Sequence, residues 1–484
     1  MLSRRAFFLS AIATSAAPTL VRAQDASRAA ADMNGAPTIL RLERRNLEVN
    51  GKPASVFGIT QPDGTQGIVT QVGARFRVRV DNKIEVPSLI HWHGLTPPWQ
   101  QDGVPGVSGP PIPAGGSADY DFPLRFGGTF WMHSHEGLQE QLLMAAPLII
   151  HDQRDRPDQQ EIVLMLADFS FTPPEQILAA LKKGGNMSGM GDAASPGAGG
   201  MAGAKGAGMS MAAAKPDLND VTYDAFLAND RTLDDPEVIK VEPGGRVLLR
   251  IINSSSMSAF HIDLGGLEGE LTAVDGFAVT PVAGRRFPIA VAQRLDIRLA
   301  IPGGSGAYPV LALLEGGNKQ TGIILRGGNA PIARIPDTAA TASSALTLDL
   351  ERRLRAVAPL KPRAADRRHT LHLTGSMAGY SWSLNNVVWT PETPPLPVAQ
   401  GERVEILFVN QTPMPHPMHL HGHEFQVVEI NEQKLSGAVR DTVLVPPGHR
   451  VLIAFDANNP GTWALHCHLL YHLATGMFVT LRYV

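Results

Sequence analysis

Apolar and polar residues alternate in short runs along most of the chain, which predicts β-strands with one buried and one solvated face. Residues 73–82 carry an apolar side chain at every second position from Phe76 to Val80, with arginines between them. The same frame, beginning with glycine and ending with asparagine, returns at 244–253 and 401–410. The starting positions of these copies are separated by the length of a whole domain rather than by the short period of a solenoid repeat. We therefore predict three copies of one β-rich unit.

The segments that follow these strands extend the repeat. The first and third copies are followed by a His-x-His-Gly motif, and the second has one histidine at the corresponding place: His91 and His93, His419 and His421, and His261. A later strand pattern recurs at 128–135, 306–313 and 461–468. The outer copies have histidines where the middle copy has Leu311 and Leu313. We therefore predict that the outer units keep metal ligands and that the middle unit has lost them.

We predict an all-β protein of three β-sandwich units, because short alternating strands separated by frequent turns are typical of that class. Polar or unpatterned segments at 152–160 and 330–368 are the predicted linkers. A short helix is favoured at 173–183, with Pro174 near its start. The predicted divisions of the chain are a signal peptide at 1–23 and units at 36–153, 160–330 and 345–484.

Composition and charge narrow the function classes. Among the 484 residues, 44% are hydrophobic and 18% charged, as in soluble globular proteins. A formal net charge of −3 gives no reason to expect nucleic acid or a lipid surface as a partner. Residues 1–23 resemble a twin-arginine export signal, with Arg4 and Arg5 before an apolar run too short to span a bilayer. We therefore expect export to the periplasm by the twin-arginine machinery and no membrane span in the mature chain.

A segment from about 184 to 215 in the second unit differs in kind from the rest of the chain. Glycine, alanine and serine dominate it, and methionines stand at 187, 190, 201, 209 and 211. Low apolar bulk predicts a mobile insertion that builds no core. A flexible linker would explain this composition, and so would capture of Cu(I), for which thioethers are suitable soft ligands.

The clearest chemical signal is the stretch from His466 to Met477. Cys467, the single cysteine of the chain, stands between His466 and His468, and His472 and Met477 follow. A thiolate, two imidazoles and a weak thioether suit a blue-copper electron-transfer centre. If the tripeptide around the cysteine is extended, the cysteine points to one side of the strand and both flanking histidines point to the other. The tripeptide would then contact two metal sites.

Histidines are concentrated in four segments, 91–93, 133–135, 416–423 and 466–472, which hold eleven of the 16 in the chain. Two histidines in a His-x-His frame on a strand point the same way, close enough to converge on a metal pair. These segments resemble the four copper-binding motifs of the multicopper oxidases, the family of laccases, ascorbate oxidase and bacterial copper-efflux oxidases. The resemblance covers essentially the whole mature chain and implies three cupredoxin-like Greek-key domains.

The resemblance also implies four copper ions, one of type 1, one of type 2 and a type 3 pair. Carried over motif by motif, the type 1 ligands are His416, Cys467, His472 and, in the axial position, Met477. The implied type 2 ligands are His91 and His419. The implied type 3 ligands are His93, His133, His135, His421, His466 and His468.

Other histidines and one serine complete this interpretation. Ser134 stands where the third unit has Cys467, so the first unit can offer imidazoles but no thiolate. His423 falls at a non-ligand position of its motif and is expected to be a surface or packing residue. The remaining histidines are expected to be structural or exposed: His151, His261, His369, His372 and His449.

The implied reaction couples one-electron oxidation of a substrate at the type 1 copper to four-electron reduction of O2 to water at the trinuclear cluster. We expect electrons to enter through an exposed edge of His472 or His416 and to leave Cys467 through the neighbouring histidines. Asp102 matches the acidic residue that the family uses for protons, although an aspartate before glycine is also an ordinary turn residue. Efflux-type members often have a glutamate after the last type 1 histidine, where this chain has Leu473.

Two other functions remain open from the sequence. A copper nitrite reductase has a simpler two-copper arrangement, against which the type 3 histidines speak, and a non-enzymatic periplasmic copper-binding protein would keep the fold without turnover. The reducing substrate is open among Cu(I), phenols, aromatic amines and Mn(II), with Cu(I) favoured by the methionine-rich segment and the export signal. We expect the protein to be a monomer.

Overall fold

The computed structural model of the protein describes residues 35–184 and 218–484. Strands dominate these residues, so the prediction of an all-β fold is confirmed. The predicted signal peptide and all but the first residue of the methionine-rich segment lie outside the described residues. Within the described ranges, no helix is both long and apolar enough to cross a membrane.

The first unit contains two four-stranded sheets that share a hydrophobic core. Its strands are β1 Thr38–Val49, β2 Lys52–Thr60, β3 Ile68–Gln71, β4 Arg75–Asn82, β5 Ile90–His93, β6 Ser117–Pro123, β7 Gly128–Ser134 and β8 Ala145–His151. One sheet has the order β2-β1-β4-β6 and the other β3-β8-β7-β5. Two short 3-10 helices, Trp99–Gln101 and Gln139–Leu142, lie in the connections.

The second unit contains a six-stranded and a five-stranded sheet. Its strands are β9 Gln160–Phe169, β10 Ala225–Ala228, β11 Val238–Val241, β12 Arg246–Asn253, β13 Phe260–Asp263, β14 Gly269–Val274, β15 Phe277–Gly284, β16 Arg286–Ile289, β17 Arg294–Ala300, β18 Gly306–Leu314 and β19 Gln320–Gly327. The sheet orders are β10-β9-β12-β17-β14-β15 and β11-β19-β18-β13-β16. Helix α1, Pro174–Lys182, follows β9 and confirms the predicted helix, with Pro174 at its first position.

The third unit follows a connecting segment that is less irregular than its composition predicts, because it contains helix α2, Asp349–Arg353. Its strands are β20 Arg367–Ser376, β21 Ser381–Leu384, β22 Leu396–Val398, β23 Arg403–Asn410, β24 His416–Leu420, β25 Phe425–Ile430, β26 Gln433–Lys434, β27 Val439–Arg440, β28 Thr442–Val445, β29 Arg450–Asp456, β30 Thr462–Cys467 and β31 Phe478–Tyr483. Helix α3, Leu470–Leu473, lies between the last two strands. The sheet orders are β21-β20-β23-β29-β25-β26, with β27 beside β25, and β22-β31-β30-β24-β28.

The predicted repeat is visible in the strand pairing. Strands β4, β12 and β23 each lie between a parallel neighbour that precedes them and an antiparallel neighbour that follows them. Each is preceded by a glycine with positive φ, at Gly73, Gly244 and Gly401. The strands β4 and β23 keep the predicted alternation of burial, whereas β12 is buried along both faces after its first residue. The middle copy of this strand is thus covered on both faces.

The histidine-bearing strands of the outer units lie in the interior. His91 on β5 is opposite His133 on β7, and His419 on β24 is opposite His466 on β30. A continuous hydrophobic core runs through the second and third units and includes Trp131 of β7. The two sets of histidines therefore meet where the first and third units are packed together.

Candidate metal centre

A thiol and two imidazoles converge beside the end of β30. The sulfur of Cys467 lies 3.5 Å from Nδ1 of His416 and 3.8 Å from Nδ1 of His472. The two Nδ1 atoms are 3.2 Å apart, and all three side chains are fully buried. The strand supplies the cysteine, the start of β24 supplies His416, and α3 supplies His472. The structure thus brings together three of the residues predicted for one site.

The outer nitrogens of both imidazoles are held by protein groups. Nε2 of His472 is 3.0 Å from Oδ2 of Asp220, and Nε2 of His416 is 2.7 Å from the hydroxyl of Thr412. A carboxylate only accepts hydrogen bonds, so His472 carries its proton on Nε2 and keeps the Nδ1 lone pair towards the sulfur. Burial lowers the pKa of His416 well below its usual range and raises the pKa of the Cys467 thiol. Neutral imidazoles with inward lone pairs are suitable metal ligands.

Met477 is fully buried beside this group. Its carbonyl oxygen accepts a hydrogen bond from the Cys467 amide at 3.1 Å, and its own amide donates to the carbonyl of His472 at 3.1 Å. These main-chain bonds keep the methionine next to both residues. Its role as an axial ligand stays a prediction.

The expectation of an exposed histidine edge at this site is wrong for the described residues. Both His416 and His472 are fully buried. The ring of Trp382 is stacked on His472 with centroids 3.9 Å apart, and Asp220 and Thr412, themselves buried, cover the outer nitrogens. Packing from the second unit and from β21 therefore closes the site, which the local sequence around the histidines does not reveal.

A second, larger cluster contains eight histidines. They lie on strands β5, β7, β24 and β30 of the first and third units and in the segments that follow these strands. The members of the cluster are His91, His93, His133, His135, His419, His421, His466 and His468. Nε2 of His421 lies 2.9 Å from Nε2 of His466, and Nε2 of His419 lies 3.5 Å from Nε2 of His91. Nitrogen atoms of His135, His421 and His466 all lie within 4.8 Å of one another. The prediction that His466 and His468 point away from the Cys467 side chain agrees with these contacts.

Burial favours the neutral form of several histidines in this cluster. It lowers the pKa of His133, His135 and His421 well below the usual range, with neighbouring imidazoles adding to the effect. The same holds for His466 and His468. Each neutral ring therefore offers one lone pair to a cation.

Three buried carboxylates contact the cluster. Asp102 accepts from Nδ1 of His91 through its carbonyl oxygen and from Nδ1 of His421 through Oδ2, both at 2.8 Å. Asp441 contacts His93 and His419, and Glu140 contacts His133 at 2.9 Å and lies 3.8 Å from His468. In each case one histidine belongs to the first unit and one to the third. Burial, reinforced by the charge of Asp168, raises the pKa of Glu140 well above its usual range.

The sequence identified Asp102 but not the other acidic contacts. Asp441, Glu140 and Asp220 lie outside the four histidine segments, and their partners are distant in sequence or hidden by burial. For Asp441 the sequence does contain a signal, because it follows Arg440 as a charged pair inside the mostly apolar run 438–445, directly before β28. His423, expected at the surface or in packing, is buried and contacts the Tyr483 hydroxyl at 2.7 Å.

Donor chemistry and unsatisfied atoms both fit bound copper. Within the described residues, the buried Nδ1 of His93 and Nε2 of His133, His135 and His468 have no hydrogen-bond partner. Buried polar atoms without partners are costly unless another ligand satisfies them. Imidazole and thiolate are the donors that copper prefers.

Comparison with known proteins gives the same answer. Family models described as multicopper oxidase match residues 42–155, 160–330 and 362–484. The chain is 30% identical over 490 residues to the multicopper oxidase MmcO of Mycobacterium tuberculosis, covering 97% of this chain and 92% of that protein. The chain belongs to the multicopper oxidase family. It is also 29% identical to a copper resistance protein A homolog of Pseudomonas syringae pv. tomato, over 85% of this chain and 86% of that one.

The fold likeness extends to solved multicopper oxidase structures. A laccase from Botrytis aclada matches with a TM-score of 0.73 at 21% identity, over 93% of this chain and 88% of that chain. The units are therefore cupredoxin-like β-sandwiches. As a multicopper oxidase, the protein is an oxidoreductase that contains copper and couples oxidation of a reducing substrate to reduction of O2. Neither the nitrite reductase nor the non-enzymatic alternative is supported.

Proposed function

We propose that this multicopper oxidase holds one type 1 copper, one type 2 copper and a type 3 pair in the two clusters. His416, Cys467, His472 and axial Met477 would hold the type 1 ion. His91 and His419 would hold the type 2 ion. The type 3 pair would be held by His93, His133, His135, His421, His466 and His468.

The observation that carries this proposal is the position of Cys467 between the clusters. Its sulfur faces His416 and His472, while His466 and His468 on either side of it in sequence belong to the eight-histidine cluster. Two ligand sets are therefore separated by a few covalent bonds of one strand. A thiolate in that position is a direct path for electrons between substrate oxidation and O2 reduction.

Protein groups prepare both sites for this chemistry. Bound copper would supply the one-electron couples and the site of O2 reduction. Trp382, Asp220 and Thr412 exclude water from His416 and His472, so an electron has to cross packed protein to reach the thiolate.

Asp102 is the proposed proton-handling residue. It fixes the protons of His91 and His421 on Nδ1, which directs both Nε2 lone pairs inward. Its Oδ1 is buried, lies 3.2 Å from Nδ1 of His91 and makes no hydrogen bond to the described residues, so we assign the transfer of protons to this atom. Leu473 provides no carboxylate in the position that efflux-type relatives use.

We propose Cu(I), phenolic compounds or both as reducing substrates. Similarity to relatives called copper resistance protein A supports copper chemistry, and the methionine-rich sequence offers suitable soft ligands. Steady-state rates for Cu(I), a phenol and Mn(II) on the copper-loaded protein discriminate among these. We expect the fastest turnover with Cu(I), and a phenol rate above the Cu(I) rate would reverse this order.

We further propose domains at 36–153, 160–330 and 345–484, export to the periplasm through the twin-arginine machinery, and a monomeric state. The three sheet pairs of the fold support the domain division. Arg4 and Arg5 before an apolar run support the route of export.

The variant Cys467→Ser tests the central assignment. We expect the intense blue absorption and O2 reduction to disappear, because the serine hydroxyl is a poor ligand for a type 1 ion. The type 2 EPR signal and the bound copper of the other cluster should remain. A control, Ser134→Ala, changes the corresponding position of the first unit and should retain the blue colour. Retained turnover in Cys467→Ser would refute the proposed path.

A further inference from the structure

Arg294 begins β17 of the second unit and is fully buried. This unit has Leu311 and Leu313 where the outer units have histidines. A buried guanidinium is costly unless its charge is compensated and its donors are satisfied. The contacts of Arg294 therefore show what the middle unit contributes at this position.

All five N–H donors of Arg294 have acceptors. Nε donates to the carbonyl of Thr129 at 3.1 Å, and Nη1 donates to the carbonyl of Ala292 at 3.0 Å. Nη2 donates to the carbonyl of Asp275 at 3.0 Å. The two remaining donors form a fork on Asp441, with Nη1 at 2.8 Å from Oδ1 and Nη2 on Oδ2. One side chain of the middle unit thus binds both outer units.

Asp441 carries this contact to the eight-histidine cluster. Its Oδ1 lies 3.0 Å from Nε2 of His93, and its carbonyl oxygen accepts from Nδ1 of His419 at 2.8 Å. Because Nε2 of His93 and Nδ1 of His419 carry the protons that these oxygens accept, Nδ1 of His93 and Nε2 of His419 keep the lone pairs. The orientation of both rings depends on where Asp441 is held.

A second ion pair crosses the boundary between the second and third units, with the arginine on the third unit and the carboxylate on the second. Arg440 of the third unit donates from Nε to Oδ2 of Asp275 at 2.9 Å, and its Nη1 contacts Glu351. Adjacent residues Arg440 and Asp441 are therefore each paired with an opposite charge of the second unit. This arrangement leaves Asp441 little freedom to rotate.

Gly94 shows that the sequence leaves room for the Arg294–Asp441 fork. It directly follows His93 and has φ of +87°. A Cβ atom there would lie 2.6 Å from Nη2 of Arg294 and 2.7 Å from Oδ2 of Asp441. The glycine of the first His-x-His-Gly motif thus admits the ion pair against the backbone beside His93.

We propose that Arg294 is a positioning residue for the cluster, through which the unit without copper ligands orients His93 and His419. The inference rests on the proposed ligand roles of these two histidines. Arg294 acts through Asp441 and touches neither imidazole. The middle unit would then hold the geometry of the type 2 ion and of its type 3 neighbour.

Arg294→Met tests this role through spectroscopy and copper content. We expect type 2 copper affinity to fall about tenfold, as on loss of other groups that orient ligands, and the type 2 EPR hyperfine splitting to change. Blue absorption per folded protein should stay at the wild-type value. Arg294→Met leaves the buried carboxylate of Asp441 without its cation, which threatens the folding of this variant. Arg294→Lys is therefore the second variant. It keeps the charge but loses the fork, so it should shift the hyperfine splitting in a folded protein.

Arg250→Met is the matched control. Arg250 is also buried in the second unit and paired with Asp155, Glu161 and Asp296, but it contacts none of the cluster histidines in the described residues. We expect it to lose stability and to keep the wild-type type 2 signal. Unchanged type 2 affinity and splitting in Arg294→Met, or in Arg294→Lys if the first does not fold, would overturn the inference. A wild-type protein without a type 2 signal would instead overturn the ligand assignment, and the inference with it.

Discussion

Hydrogen-bond acceptors decide which ring nitrogen of most cluster histidines keeps its lone pair. Carboxylate or carbonyl oxygens accept hydrogen bonds from Nδ1–H of His91, His419 and His421. Asp441 and Asp220 accept hydrogen bonds from Nε2–H of His93 and His472. Fixed tautomers mean that little reorganisation is needed when a metal binds. The residues that set the tautomers therefore belong to the functional site together with the proposed ligands.

Asp220 gives a direct test at this scale. In Asp220→Asn the amide oxygen is a weaker acceptor than the carboxylate, so His472 donates less electron density to an oxidised metal ion. We expect the type 1 reduction potential to rise by about 40 mV, the equivalent of about 1 kcal/mol for one electron. Redox titration of the blue band measures the change. The control Asp224→Asn, on a carboxylate that contacts Ser170 instead, should leave the potential unaltered, and an unmoved potential in Asp220→Asn would contradict the argument.

The ligand candidates were predictable residue by residue because they are close together in sequence and stand in strand frames. Their acidic partners were not. Asp220 and His472 are 252 residues apart, and His93 and Asp441 are 348 apart. Nor did the sequence show that His416 and His472 would be covered, since the covering groups Trp382 and Asp220 come from other elements. Such pairings depend on tertiary packing rather than on any local pattern.

At the scale of the elements, the repeat was predictable because strand alternation and turn glycines are local signals. The glycines before β4, β12 and β23 all have the positive φ that a β-carbon disfavours. Sheet order and the parallel pairings were beyond the sequence, because they depend on contacts between distant strands. The double burial of β12 was also unforeseen, since it follows from enclosure by the neighbouring units.

Substitutions at two glycines with nearly the same φ distinguish the effect of backbone strain on stability from the effect of close packing. Gly94→Ala would place a β-carbon against Arg294 and Asp441, so we expect it to destabilise the protein by about 3 kcal/mol and to lower type 2 copper content. Gly73 has φ of +86°, and a β-carbon added there would have no atom within 4 Å. Gly73→Ala should cost only about 1–2 kcal/mol of backbone strain and leave the copper content intact. Denaturant unfolding and metal analysis give both quantities, and equal effects in the two variants would exclude a packing role for Gly94.

In the whole molecule, the three units share their hydrophobic cores unequally. The first has a core of its own, whereas the second and third share one. Charged contacts at the boundary between the second and third units add to this shared core. The proposed metal cluster spans the first and third units, and Arg294 joins all three at that point.

A buried carboxyl group of the second unit, which contacts the segment that connects this unit to the third, should titrate visibly in the overall stability. Glu315, at the end of β18, is buried and accepts a hydrogen bond from the Leu346 amide at 2.6 Å. Burial raises its pKa from 4.5 to about 7, although the Leu346 amide opposes the rise. Because the folded state binds this proton more tightly than the unfolded state, the stabilising contribution is complete below pH 4.5 and is lost as the pH rises through about 7.

Glu315→Gln removes this titration and keeps an oxygen that can accept from Leu346. We expect the variant and the wild type to have similar unfolding free energies near pH 4.5, and the variant to be more stable by about 2–3 kcal/mol near pH 8. Glu402→Gln is a control of opposite sign, because Arg367 lowers the pKa of Glu402 to about 2. Removal of the Glu402 carboxylate should destabilise the protein at pH values above its pKa of about 2 and have no effect below it. Urea unfolding across this pH range measures both differences, and a gap between Glu315→Gln and the wild type that does not widen with pH would mean that the buried carboxyl is not protonated in the folded state.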